Sequence, residues 1–283
     1  MKKLLTLALT LIMALTACIG LTACGAKDNK PVVLNDVELI QEQYGIAAKK
    51  GNEALVSKIN EALIAIADGK MQSIADTYGL KSELAVTKST VNPFANAEDE
   101  SWNALVSRNK VIIGYTVFAP IAFEVVNDVP TKGYDIELAK AVFDYLNETY
   151  DTNIVVEFLE IQWNAKETLL AGGSIDLVWN GLTITDDRLA EMCISVPYLN
   201  NKQVAVVLNK NAEKFATIDA MKDAITGAED GSAGEEQIAT KNIGKEYIKC
   251  SSQLDAYNKL KAGTLDVIVI DSVMANYYIS LEK

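Results

Sequence analysis

The chain has 283 residues, 49% of them hydrophobic and 23% charged, with a net charge of −12 and no histidine. That length accommodates two domains of ordinary size. An acidic balance without a run of Lys and Arg excludes nucleic acid as a partner, and the lack of His excludes His-based triads and zinc sites, so neither metal nor cofactor is expected.

Lys2-Lys3 precede a run of Leu, Ala, Ile and Met that ends in small residues. This is the charged, then apolar, then small-residue order of an export signal. It is too short, and too soon followed by polar residues, for a membrane span. Leu21-Thr-Ala-Cys24 resembles the lipobox of bacterial lipoproteins, and the same four residues occur at Leu15–Cys18. Cys24 is preferred because Gly25-Ala26 and the polar Lys27–Lys30 follow it, as a tether would. The resemblance implies a signal peptide over 1–23, a lipid on Cys24, a tether over 24–30 and a site on the outer face of the cell membrane.

Pro31–Leu34 and Gln43–Ala47 are short apolar runs, each a candidate strand. From Asn52 the spacing of Leu55, Ile59, Leu63 and Ile66 predicts an amphipathic helix that ends near Asp68-Gly69, and Met71–Tyr78 a shorter one. Lys88–Ser101 loses periodicity and gathers Pro, Asn, Ser and acidic residues, a linker. Strands are then expected at Val111–Gly114, Ile154–Leu159 and Ile175–Trp179, alternating with helices at Tyr134–Leu146 and Trp163–Ala171. A second alternation follows: strand Gln203–Leu208, helix Ile218–Ala224, a glycine-rich loop Ala228–Gly234 opening a helix to Thr240, strand Tyr247–Cys250, helix Gln253–Ala262, strand Leu265–Ile270 and helix Val273–Ile279. Such alternation implies α/β lobes with mostly parallel sheets covered on both faces and ligands at the carboxyl ends of strands. Cys193 and Cys250 fall in different lobes and are expected to stay free.

One stretch carries chemistry. The run ending at Trp179 meets a turn at Asn180-Gly181, Thr185 is a good N-cap, and Asp186-Asp187 suit the first turn of a helix. Turn N–H groups, the Thr183 hydroxyl and the Arg188 guanidinium are three kinds of anion donor, and an Arg fork grips a carboxylate through two parallel hydrogen bonds. A surface Arg on an ordinary α/β helix is the alternative.

Gly133-Tyr-Asp-Ile-Glu-Leu-Ala-Lys-Ala141, Leu169–Leu177, Gly181-Leu-Thr-Ile-Thr-Asp-Asp-Arg188, Val196-Pro-Tyr198 and Leu260–Asp271 follow one another in 111–283. In that order they resemble the solute-binding proteins of ABC transporters for polar amino acids, the type 2 periplasmic-binding fold. The resemblance implies two lobes, joined by two hinge strands, that close on an α-amino acid. Gly181, Thr183 and Arg188 would hold its carboxylate, with Asn180 beside them; Ser232, Ala233 and the glycine loop would reach it from the other lobe. Asp271 would take the α-ammonium, and Phe118 and Trp163 would wall the side chain. Phe118 and Trp163 as core, and Asp271 as a helix N-cap, remain open. Tyr115 stands where binders of basic amino acids often carry Asp, while Glu229 and Asp230 either restore a preference for cations or form a solvated loop edge. An uncharged polar or aromatic ligand side chain is the expectation.

Gln43–Asn52, the helix to Asp68 and Met71–Leu80 resemble the carboxyl-terminal end of the same family, here placed first. The implied arrangement is a circular permutation: lobe 1 over 44–198 (44–84 moved to the front, 85–106 linker, 107–198 core), lobe 2 over 31–43 and 199–283, and hinges near 36–43 and 198–202. A flexible linker of about 20 residues spans roughly 25 Å, enough to join the family's old ends. The implied function is a lipid-tethered monomeric receptor that captures an amino acid and presents it to a membrane permease, and not an enzyme. The alternatives are an enzyme on the same fold, such as a cyclohexadienyl dehydratase-like protein using Glu124, Glu229 or Asp230, and a ligand-sensing module.

Overall fold

The computed structural model describes residues 29–282, so the export signal and both lipidation candidates, Cys18 and Cys24, lie outside the described residues. In chain order the elements are β1 (Pro31–Val33), β2 (Gln41–Lys49), α1 (Glu53–Ile66), α2 (Gln72–Thr77), α3 (Ser101–Arg108) and β3 (Lys110–Tyr115). The hairpin β4 (Phe123–Val126) and β5 (Val129–Lys132) follows, then α4 (Tyr134–Tyr150), β6 (Val155–Glu160), α5 (Lys166–Ala171), β7 (Leu177–Thr183), α6 (Asp186–Glu191) and β8 (Met192–Ile194). The rest is β9 (Leu199–Leu208), β10 (Ile225–Glu229), α7 (Ala233–Lys241), β11 (Glu246–Cys250), α8 (Gln253–Lys261), β12 (Val267–Asp271) and α9 (Ser272–Leu281).

The main strand order is β11-β10-β12-β9-β2-β7-β3-β6. Within it β6, β3 and β7 run parallel in the first lobe, and β11, β10 and β12 run parallel in the second. Between them β2 lies antiparallel to β7, and β9 antiparallel to β12. The two middle strands pair with each other from Gln41↔Lys202 to Tyr44↔Leu199, so two extended segments carry the chain from lobe to lobe. Residues 43–49 therefore sit in the first lobe's sheet, although they precede its other strands by some sixty residues of chain.

Strand alternation fills both faces of each sheet. In the first lobe Leu177 and Trp179 join the core beneath α1 and α4 (Leu55, Ile59, Leu138, Phe143), while Val178 turns to Ile161, Leu170 and Ile175. In the second, Val267 and Val269 pack with Phe215 and Ile238, and Ile268 and Ile270 with Leu260 and Ala275. The lobes also repeat one device: Asp176 accepts from Ile112 N at 2.8 Å and Asp266 from Ile225 N at 2.9 Å. Each aspartate thereby fixes the start of the neighbouring parallel strand. Cys193 and Cys250 are both buried and free.

Four sequence expectations are corrected. β7 does not stop at Trp179 but runs through Asn180-Gly181 to Thr183, because Tyr44 and Gly45 supply partners for Thr183 and Leu182. The supposed linker over 85–106 ends in a helix, α3 (Ser101–Arg108), which buries Leu105 against the first lobe's core. Asp99 Oδ2 and Ser101 Oγ accept from the N–H groups of Ala54 and Leu55 at 2.7 and 2.9 Å, and so serve the amino end of α1. The helix expected at Ile218–Ala224 is a single 3₁₀ turn over Asp219–Asp223, and the chain then enters β10. Glu229 is accordingly the last residue of a buried strand, not part of a loop.

Candidate ligand-binding site

The carboxyl ends of β3, β7, β10 and β12 converge between the lobes, where an open α/β sheet presents its ligands. There Thr116, Phe118, Trp163, Asn180, Gly181, Thr183, Arg188, Glu229, Ser232, Ala233, Gln253 and Asp271 line one small cavity. Thus the candidates named from sequence meet in a single space, with Tyr115 the exception. Alternation on β3 aims Thr116 inward and Tyr115 away; the Tyr115 ring packs edge-on to Phe158 with centroids 6.3 Å apart. Glu124, an acid/base candidate of the enzyme alternative, sits on the exposed hairpin in an ion pair with Lys132 at 2.8 Å.

Arg188 owes its position to the cap: Thr185 Oγ1 accepts from Arg188 N at 3.2 Å and fixes the first turn of α6. Its Nη1 donates to Thr183 O at 2.7 Å and its Nη2 to Gly231 O at 3.3 Å, which belongs to the other lobe. Lys166 Nζ donates to the same Gly231 carbonyl at 3.1 Å. Burial lowers the proton affinity of both cations, and for Lys166 the neighbouring Arg188 charge adds to it. Asn164 Nδ2 completes the crossing by donating to Asp230 Oδ2 at 2.7 Å. The two lobes are therefore closed on each other in this structure. Gly231 permits that approach: at φ +76° a Cβ would stand 3.1 Å from Asn164 Cα.

Opposite Arg188 lies Asp271, 5% exposed. It occupies the N-cap position of α9 but makes no side-chain cap bond, which removes the capping alternative. Its carboxylate instead accepts from the Tyr44 hydroxyl at 2.5 Å, from Asn201 Nδ2 at 2.5 Å, from Gln203 Nε2 at 3.1 Å and from Gln253 Nε2. Phe118 and Trp163 are core and wall together: each packs in the first lobe and lines the cavity. Gly181 needs its lack of a side chain, since at φ +65° a Cβ would come 2.8 Å from Phe118 Cε1. Ser232 caps α7 by accepting from Glu235 N at 3.2 Å.

Glu229 is 4% exposed, and its Oε1 has no hydrogen-bond partner. Burial, then the charge of Asp271, push its carboxyl up to about 8, against the opposing pull of Lys166. Asp230 is the solvated acid of the pair, bridged to Lys249 at 2.5 Å and held low chiefly by that bond.

Sequence reading missed four supports. Glu42 on β2 is 7% exposed and accepts from Thr183 Oγ1 at 3.2 Å. Asp135 accepts from Gly181 N at 2.9 Å and from the Tyr198 hydroxyl at 2.8 Å, and burial pushes it up to about 7. Thr116 accepts from Asn180 Nδ2 at 2.9 Å, and Gln253 meets Asp271. The available signals were local: Glu42 is two residues before Tyr44 and shares its face, and Thr116 directly follows a strand whose carboxyl end points at the cleft.

Among the described residues no group of three or more His, Cys, Asp and Glu is arranged to hold a metal. No helix among them is long and apolar enough to cross a membrane.

Comparison with known proteins bears on the family and the fold. Residues 111–266 match the family model of bacterial extracellular solute-binding proteins, family 3. A probable histidine-binding protein of Neisseria gonorrhoeae is 31% identical over 150 residues, 52% of this chain and 53% of that protein, so the chain spans about half the length of this relative. The L-cystine-binding protein TcyJ of Escherichia coli is 23% identical over 198 residues, 70% of this chain and 71% of that one. Among solved structures, a substrate-binding protein of an ABC uptake transporter from Streptococcus pneumoniae with bound histidine superposes with a TM-score of 0.57 at 32% identity, covering 65% of this chain and 74% of that one. An ancestral amino-acid-binding protein, a precursor of cyclohexadienyl dehydratase, gives 0.57 at 25% identity, with 63% and 77% covered. The match over 111–266, more than half the chain, places it in a family: this chain belongs to the bacterial extracellular solute-binding proteins, family 3.

Proposed function

We propose that the protein is the extracytoplasmic receptor of an ABC importer and binds an α-amino acid between its closing lobes. One observation carries the reading: a guanidinium and a carboxylate, Arg188 and Asp271, face one small closed cavity. A zwitterion needs a partner of each sign, each shielded from water, with apolar walls to set orientation. The carboxylate is assigned to Arg188, with the Gly181 turn and Thr183, and the α-ammonium to Asp271. Glu229 is assigned to the ligand side chain. Its buried, unpartnered oxygen favours a cationic group there over the uncharged side chain that the sequence suggests. Relatives described as binding histidine or arginine are in keeping with that choice.

Closure would be driven only by contacts that the ligand makes with both lobes at once. Delivery to a membrane permease, tethering through a lipid on Cys24 and a monomeric state belong to the same reading. An enzymatic role is the weaker alternative: with Glu124 outside the cavity and Asp230 engaged by Lys249 and Asn164, Glu229 would act alone. A thermal-shift panel of the common amino acids tests the proposal, because a ligand of the folded state raises the melting temperature by mass action. At least one is expected to do so; no response to any of them removes the reading.

The same reading includes a circular permutation. Residues 44–48 pair with β7 in the first lobe, and β1 pairs with β9 in the second. Lys30 Nζ donates to the carbonyl of Glu282, so the beginning and end of the described chain are adjacent. A rearranged protein that starts in the linker near Asn96 and runs from Glu282 directly into Lys30 is expected to fold and to bind with unchanged affinity. Failure to fold by circular dichroism would count against interchangeable ends.

A further inference from the structure

Glu42 is absorbed by none of these roles. It lies on β2 just behind the cavity wall, where it accepts from Thr183, while Asp271 lines the cavity from the end of β12. Asn201 Nδ2 lies 2.5 Å from Glu42 Oε1 and 2.5 Å from Asp271 Oδ1, which puts those two oxygens within about 5 Å of each other. Gln203 Nε2 bridges the same two oxygens at 2.9 and 3.1 Å. Two buried carboxyl groups thus share two neutral amide donors. Neither is ion-paired to a Lys or Arg among the described residues.

The other groups around the pair do not neutralise it. Tyr44 on β2, Thr183 on β7, and Gln253 on α8 offer neutral donors. Glu229 on β10 adds negative charge when ionised, as its interaction with Asp271 indicates. Arg188, whose guanidinium lines the cavity, feels both carboxyls only at longer range and is bound to main-chain carbonyls. Like charges this close and this dry do not both ionise readily, so Glu42, packed beside the Asp271 charge, favours its protonated form. Burial first, and the Asp271 charge second, accordingly hold Glu42 well above the usual carboxylate range.

We propose that Glu42, crowded against the Asp271 carboxylate, holds a proton in the ligand-free protein and releases it to solvent when the α-ammonium of an amino acid docks on Asp271, so that ligand capture is coupled to proton release. This rests on the amino-acid reading given above. The incoming ammonium supplies the missing positive charge and three donors, so both carboxyls become stable as anions; no covalent bond other than the O–H is broken. The sign follows. The free protein binds one more proton than the complex, so affinity rises with pH, by up to about tenfold per unit where the release is complete. The gain ends once Glu42 of the free protein has lost its proton.

Calorimetric titrations with L-arginine, L-histidine and L-glutamine, each in buffers of different ionisation enthalpy near neutral pH, count the protons directly. The wild type is expected to release about one proton that Glu42→Gln does not. The ligand's own titration cancels in that comparison. Glu229→Gln is expected to keep the Glu42-dependent proton, which separates it from any proton that Glu229 loses. An equal release in the wild type and Glu42→Gln overturns the proposal. So does a wild-type enthalpy independent of buffer, a result that needs no variant to fold. Binding of none of the three ligands removes the amino-acid reading, and this inference with it.

Discussion

Arg188→Ala is expected to abolish binding. Among the described residues the guanidinium is the one cation lining the cavity, and two of its five N–H donors are spent on the Thr183 and Gly231 carbonyls. The remaining three are left for a carboxylate. Truncation leaves that carboxylate buried and unpaired, a loss of roughly 3–5 kcal/mol, or at least about a hundredfold in Kd. The Gly231 bond makes the effect larger than a lost contact. It spans the cleft, so its removal also weakens the closed form on which binding depends. Arg188→Lys keeps a charge but not the fork, and is expected to recover only part of the affinity. Calorimetry that finds near-wild-type binding by Arg188→Ala would eliminate the site as assigned.

The legibility of this molecule depended on the range of the interaction. Strands such as Val111–Gly114 and the run into Trp179 announce themselves because both faces are buried, which demands apolar residues without interruption. Thr185, Asp186 and Arg188 were readable as a cap followed by a first turn because capping is local. The end of β7 was not. Asn180-Gly181 has turn chemistry, yet Tyr44 and Gly45 pair with Thr183 and Leu182 from far away in the chain and keep the strand extended. Ser101–Arg108 failed for a related reason. A short helix with one fully buried side chain, Leu105, has little periodicity to show, and its docking rests on bonds from residues 99–101 to α1. Glu42 and Asp135 were not read as site residues because a lone acid in a strand or a helix stays ambiguous until its partners are placed, even where, as for Glu42, its face can be inferred. The family motifs carried Arg188, Asp271 and the glycine loop to one place, but the neutral amides around Asp271 came from β9 and α8, outside any motif.

Glu229→Gln is expected to shift the choice of ligand rather than the capacity to bind. From sequence, Glu229 and Asp230 belonged to a glycine-rich loop and either restored a preference for cations or formed a solvated edge; in the fold Glu229 ends β10, and Asp230 is the acid bridged to Lys249 at the edge. A carboxylate buried at 4% exposure with one oxygen unpartnered has two ways to be satisfied. In the empty cavity it takes up a proton, consistent with a carboxyl pushed up to about 8 by burial and by Asp271. With a ligand present, a guanidinium, ammonium or imidazolium provides the counter-charge instead. The wild type should therefore respond most strongly to arginine, lysine or histidine in the thermal-shift panel. Glu229→Gln removes one partner of a desolvated charge pair, which costs roughly 2–5 kcal/mol, or at least about thirtyfold in Kd for such ligands. Glutamine, which presents a neutral amide, should lose far less. The ratio of the two affinities is the quantity to measure, since a general loss of folding or closure would lower both together. If glutamine or an aromatic amino acid is the best wild-type ligand and the ranking survives the substitution, Glu229 does not select the side chain.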